Sequence, residues 1–287
     1  MAGLLNVLFN GIAYGMLLFV IAVGLSVTMG LMGFVNLAHG AFAMLGGYVA
    51  THLLLHWGVP FLLTLPIAFV VAALAGLALE RTLYRRLYRA GELDQVLLTI
   101  GLVFMAIGAV SYFFGTGQQP IRVPAWLTGE TALAGIDLGR YRLFLTGMGL
   151  LVTLGLVLGI ERTRLGARIR AAVDSPRMAE GIGIDVDFVF ALTFAIGSGL
   201  AGLGGALAVN LVGLDPTFPV KYMTYFLIVV AVGGLGSIRG SLLAALLLGI
   251  ADVAGKYYVP ETGAFIIYAL MVAILLWRPR GLFGKRG

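Results

Sequence analysis

Long apolar runs separated by short polar breaks make up most of the chain. They lie near residues 5–30, 35–57, 60–80, 94–114, 142–160 and 188–213, with a last one near 262–277. An α-helix needs about 17 to 25 such residues to cross a bilayer. Residues 222–258 are too long for one span and short for two, and GGLGSIRG (233–240) interrupts them. They predict two short helices meeting at a glycine-rich turn. Irregular backbone at membrane depth is tolerated only where it is buried in protein or lines a watery cavity. The pattern predicts an all-α polytopic membrane protein, with about eight or nine transmembrane helices forming one transmembrane domain over 1–287. The first run has no basic leader or cleavage pattern and continues too far for a signal peptide, so it reads as the first span.

One polar block stands between two of these runs, ERTRLGARIRAAVDSPRMAEGIGIDVD at 161–187, with Arg162, Arg164, Arg168, Arg170 and Arg177. Asp174-Ser175-Pro176 is a helix-start signal, since Asp or Ser can cap and Pro suits the first turn. Gly181 and Gly183 suit the end. The block predicts a short helix on the cytoplasmic surface, held at both ends by membrane helices, on which a separate motor could push.

Composition supports the lipid setting. The chain is 60% hydrophobic and 11% charged, against about 25% charged in water-soluble domains. Its 42 glycines follow no collagen period and predict helices packed closely through small residues. Stripes of small residues four apart agree: Gly11 and Gly15; Ala22, Ser26 and Gly30; Gly197, Ala201 and Gly205; Ser241, Ala245 and Gly249. With no cysteine, disulfides and thiolate chemistry are ruled out.

The net charge of +6 reflects topology and not a nucleic-acid partner. Arg81, Arg85, Arg86, Arg89, the five arginines of 162–177, Arg239, Arg278, Arg280, Lys285 and Arg286 are fourteen of the nineteen basic residues. Placing them inside satisfies the positive-inside bias. The N-terminus is then outside and the C-terminus cytoplasmic. Residues 115–141, with Pro120, Pro124 and Trp126, form an extracytoplasmic loop, and Arg122 falls there too.

Little in the sequence suggests bond chemistry. Asn36, His39 and Gly40 lie together in an apolar setting and could line a substrate path at a broken helix. Alternatively, Asn36 caps the helix and His39 bonds a carbonyl. Gly233, Gly234, Gly236 and Ser237, in the interrupted segment, are further candidates for that path. His52 and His56 are four apart but have no third ligand nearby, so a metal is not expected. Among the acids, Asp252 alone falls plausibly inside a span, where a charge costs about 2.5–3.5 kcal/mol on insertion scales. It is expected to pair with Lys256 or cap a neighbour; an ion-coupled carrier would have to use it instead. No H-E-x-x-H, G-x-S-x-G or phosphate-binding G-x-x-x-x-G-K-[ST] occurs. No catalytic residue and no cofactor on this chain are expected.

Four stretches resemble a known family in the order they occur: VNLAHGAFAMLGGYVA, TRLGARIRAAVDSPRMAEGIGIDV, FALTFAIGSGLAGLGGAL and VVAVGGLGSIRGSLLAALLLGIAD. They are similar to bacterial ABC importer permeases of the branched-chain amino-acid class, over nearly the whole chain, and to the shorter of the two permeases such systems pair. The resemblance implies a multi-pass protein of the cell inner membrane. Its partners would be membrane lipid, a second homologous permease, two cytoplasmic ATPases that carry ATP and Mg, and a periplasmic substrate-binding protein. Ser175, Pro176, Arg177, Met178, Ala179, Glu180, Gly181, Ile182 and Gly183 would be the helix coupling permease to ATPase, with Arg177 and Glu180 making polar contacts. The full E-A-A signature of other importers is absent; Met178-Ala179-Glu180 stands in its place. The implied cargo is a branched-chain or other small neutral amino acid. Urea or an aromatic or carboxylic acid is the alternative, because the family also has members resembling importers of those solutes.

Overall fold

The computed structural model describes residues 2–284 apart from 33, 35, 89, 120–122, 134 and 135. Arg89, Pro120, Arg122, Lys285 and Arg286 lie outside the described residues.

The elements are α1 (Ala2–Met32), α2 (His39–His56), α3 (Phe61–Leu79), α4 (Arg85–Leu87) and α5 (Glu92–Phe114), then β1 (Glu130–Leu133) and β2 (Ile136–Gly139). They continue with α6 (Arg140–Leu156), α7 (Arg164–Asp174), α8 (Pro176–Gly181), α9 (Val186–Val212), α10 (Phe218–Gly233), α11 (Ile238–Tyr258) and α12 (Gly263–Trp277). Wide π turns, Glu80–Tyr84 and Val157–Glu161, extend α3 and α6. Among the described residues, six helical stretches are long and apolar enough to cross a membrane, and α10 and α12 are shorter apolar helices. The chain is an all-α polytopic membrane protein.

Two expectations need correction. Residues 222–258 hold the expected pair of helices meeting at the glycine-rich turn, but only one is short: α10 has 16 residues and α11 has 21. The break occupies only 234–237, and α10 starts upstream at Phe218 because Pro219 suits a first turn. Residues 115–141 are also more than a loop. They contain an antiparallel hairpin that pairs Glu130 with Gly139 and Leu133 with Ile136.

The centre is built from α1, α9 and α11, with α2 and α3 against α9. In lipid no hydrophobic drive pulls helices together, so close backbone approach has to supply the contact. A Cβ built on Gly24 would lie 2.2 Å from the Gly197 carbonyl oxygen, and one on Gly205 would lie 1.7 Å from that of Ala43. Gly11 and Gly15 meet Ile250 and Ala245 in the same way. The α1 span is 83% buried and that of α5 only 17%. The outer helices therefore turn Leu, Phe and Val side chains, such as Leu74, Phe104 and Leu154, away from the protein.

Candidate functional site

The polar block folds into two helices where the sequence predicted one. Thr163 Oγ1 accepts the Gly166 amide at 3.2 Å and caps α7. Leu165, Ile169 and Ala172 share one face of α7, because residues three and four apart are helix neighbours. Ile169 and Ala172 pack with Ala179, Val186 and Val189 in a small core separate from the main one. That spacing and the Thr163 cap were the signals for α7 that the arginine count obscured. Arg170 Nη1 donates to the Ile160 carbonyl at 2.7 Å and ties α7 to the end of α6.

Pro176 opens α8 in its first turn. Ser175 holds the N-cap position, but its side chain makes no capping bond. The helix closes as the Gly183 amide donates to Glu180 and the Ile184 amide to Ala179, both at 2.9 Å. Gly183 takes φ +83°, in the left-handed region that glycine tolerates. Asp185 then caps α9 by accepting the Phe188 amide at 2.9 Å. Of α8 only Ala179 is buried. Arg177 and Glu180 are exposed, and Met178 and Ile182, four apart, are each 77% exposed. An Arg85–Asp187 ion pair joins α4 to the start of α9.

The glycine-rich turn lies close by. Gly234 and Gly236 have φ of +95° and +77°, and Ser237 Oγ caps α11 by accepting the Gly240 amide at 3.0 Å. The Gly236 amide donates to the Ser26 carbonyl at 3.2 Å, and the Leu282 and Phe283 amides donate to Val232 and Gly233. A cavity of about 280 Å³ lies between this turn and α7, lined by Ile160, Ile169, Arg170, Leu235, Gly236 and Ser237 among others.

Asn36 and His39 are fully buried. Asn36 Oδ1 accepts the Ala38 amide at 3.1 Å, a turn preceding the helix, since Ala38 holds the N-cap position. His39 Nε2 lies 2.8 Å from the Ile21 carbonyl and therefore carries the proton. Asn36 Nδ2 and His39 Nδ1 have no partner among the described residues. Gly40 abuts Pro219 at the start of α10, whereas Gly233 and Gly234 close its other end, about 21 Å away at 1.5 Å per residue. The two groups of candidate path residues are therefore not one site.

A further cavity, of about 390 Å³, lies towards the far end of α11; Asn10, Tyr14, Arg142, Tyr222, Tyr225 and Asp252 are among its lining. Lys256 Nζ donates to Asp252 Oδ2 at 2.6 Å, as the sequence suggested. Beside it, the loop before α10 is held by Asp215, which accepts from Lys221 Nζ at 2.6 Å and from the Thr217 amide at 2.8 Å. Burial opposes ionisation of Asp215, but the Lys221 and Thr217 bonds outweigh it and hold the carboxyl below its usual range. His52 and His56 stack at 4.4 Å, and no group of three metal-ligating side chains occurs among the described residues.

These features define a multi-pass helical membrane protein with a small second core, under α7 and α8, set apart from its main one. Residues 7–275 match the family described as branched-chain amino acid transport system, permease component, and the chain belongs to that family. It is 30% identical to the high-affinity branched-chain amino acid transport system permease protein BraD of Pseudomonas aeruginosa, over 98% of this chain and 96% of the relative. It is 28% identical to LivH of Escherichia coli K12, with the same coverage of each. Likeness to LivM of that organism is weaker, 25% over 93% of this chain and 68% of the relative. The chain thus follows the shorter of these two permeases along its length. No solved structure matches.

Proposed function

We propose that this chain is the membrane-spanning subunit of an ATP-driven importer in a bacterial inner membrane, and that it carries branched-chain or other small neutral amino acids inward. It pairs with a second, homologous permease. Two cytoplasmic ATPases drive it, and a periplasmic binding protein delivers the solute. The names of the relatives support the substrate class. The chain itself performs no bond chemistry.

One observation carries the reading. α8 exposes Met178, Ile182, Arg177 and Glu180 on a helix of six residues in a chain without a phosphate-binding loop. A helix that short does not persist alone; here the core under Ala179 holds it rigid. With the N-terminus outside and the C-terminus inside, as the positive-inside bias favours, α7, α8 and the 234–237 turn lie together on the cytoplasmic side. A push on α8 then passes through Ile169 and Arg170 to the wall of the cavity that Leu235, Gly236 and Ser237 also line.

The test is uptake by the complete complex reconstituted in liposomes. Glu180→Arg and Gly181→Pro are expected to leave the chain in the membrane and to cut ATP-driven uptake at least about tenfold, equivalent to ~1.4 kcal/mol of lost coupling. Normal uptake in both variants would overturn the assignment of residues 175–183.

A further inference from the structure

Between α7 and the 234–237 turn, the cavity of about 280 Å³ joins two kinds of surface. Most of its lining is apolar: Val27 comes from the last turns of α1, Ile160 from the end of α6, and Phe283 from the segment after α12. Leu235 and Phe283 remain 59% and 48% exposed there. Arg170 and Arg239 stand in the same lining, and among the described residues no acidic side chain does. Arg239 has a contact of its own, so Arg170 is the charge that matters. Its Nη1 is taken by the Ile160 carbonyl, whereas Nε and Nη2 have no partner among the described residues. Those two nitrogens share one edge of the guanidinium, and such an edge binds phosphate through two parallel bonds.

Basic charge beside apolar surface, at the ends of membrane helices, is complementary to the edge of a bilayer, where anionic headgroups lie over acyl chains. Basic pockets between spans on the cytoplasmic side hold such headgroups. A soluble anion would leave Leu235 and Phe283 in water, and a zwitterionic lipid would set its own cation against the arginines. The volume is just below the roughly 300–1,000 Å³ of small-molecule sites. It admits the phosphate end of a lipid and the start of its chains, and leaves the rest in the bilayer. We infer that this cavity binds one anionic phospholipid of the cytoplasmic leaflet, with its phosphate on the Nε–Nη2 edge of Arg170 and its chains against Leu235 and Phe283. The lipid lies against the wall that α7 moves, so anionic lipid content controls coupling. The leaflet and that consequence rest on the transport reading above; the binding itself does not.

The probe is a phosphatidylglycerol with a diazirine near the start of one chain, added to the complete complex in phosphatidylcholine nanodiscs. Cross-linked peptides are identified by mass spectrometry. Labelling is expected on α7 and on residues 234–239. Unlabelled phosphatidylglycerol should compete for it at least about fivefold better than added phosphatidylcholine, the factor for one basic residue at an anionic surface. Equal competition by phosphatidylcholine overturns the inference. Full competition by glycerol 3-phosphate overturns it as well, because the site would then take a soluble phosphate. Labelling that reaches the cavity only after the ATPases are stripped away gives this surface to a partner chain and also overturns it.

Arg170→Gln is expected to lower cavity labelling about fivefold, with assembly verified by co-purification of the partner chains. Because Arg170 also ties α7 to α6, a second variant separates binding from loosening of α7. Leu235→Glu changes an exposed side chain that holds no element in place, and it sets a carboxylate where the phosphate would come. It should abolish the preference for phosphatidylglycerol over phosphatidylcholine. An unchanged preference in Leu235→Glu overturns the site, even where Arg170→Gln lowers labelling. A labelled complex that hydrolyses ATP yet takes up no amino acid would overturn the transport reading and leave the lipid site standing.

Discussion

Gly205 leaves no space for a side chain, since its missing Cβ position is already occupied by the Ala43 carbonyl. Gly205→Val must therefore push α2 away from α9. The expected cost is about 3 kcal/mol, at the upper end for overpacked cores, read as a lowered melting temperature of the detergent-solubilised protein. Tyr141→Phe is expected to cost only about 1 kcal/mol, the loss of one buried bond from its hydroxyl to the Leu207 carbonyl at 2.6 Å. Asp215 adds a pH dependence. Its carboxyl titrates lower in the folded chain than in the unfolded one. The stability it adds is present above the usual carboxylate range and is lost as pH falls through the depressed value. Protease sensitivity of residues 213–221 should rise on acidification, and Asp215→Asn should be as sensitive at neutral pH as the unmodified chain is in acid. The stripe Gly197, Ala201, Gly205 was legible because small residues four apart mark a helix contact face. That Gly205 meets Ala43 and Gly24 meets Gly197 was not, because periodicity names a face and never its partner.

Among the helices near the polar block, α7 is the one that sequence reading missed. The reading put one short helix in 161–187 and none over 164–174, because the apolar face that holds α7 consists of only Leu165, Ile169 and Ala172. Ile169→Asp would place an unpaired charge in that small core, a change that costs several kcal/mol where the site stays dry. It is expected to melt α7 and α8 together. The reading is loss of ATPase co-purification while the chain remains in the membrane. The length of α11 was misjudged for a related reason. Both glycines that need positive φ, Gly234 and Gly236, fall in the first half of 222–258, so the break splits the segment unevenly. The terminal signals of α8, Pro176 and Gly183, were readable because they act within a single turn.

At the scale of the whole molecule, hydropathy and charge alone showed the polytopic helical character, whereas the arrangement of helices around α1 had no sequence signal. The orientation proposed here has a direct check, made simple by the absence of cysteine. Met178→Cys should react with a membrane-impermeant maleimide only in inside-out vesicles, and Trp126→Cys only in right-side-out ones. Labelling with the opposite sidedness would reverse the assignment of α7 and α8 to the cytoplasm.

Where α1 meets α9 and α11, several contacts are backbone on backbone: Gly24 against Gly197, and Gly249 against Gly11 and Gly15. Glycine loses no rotamer freedom when such a contact forms. Beside them Ile21, Thr28 and Ile250 touch glycines of the facing helix. The seam is therefore part smooth and part keyed: glycines set how near the helices come, and the side chains between them set the register.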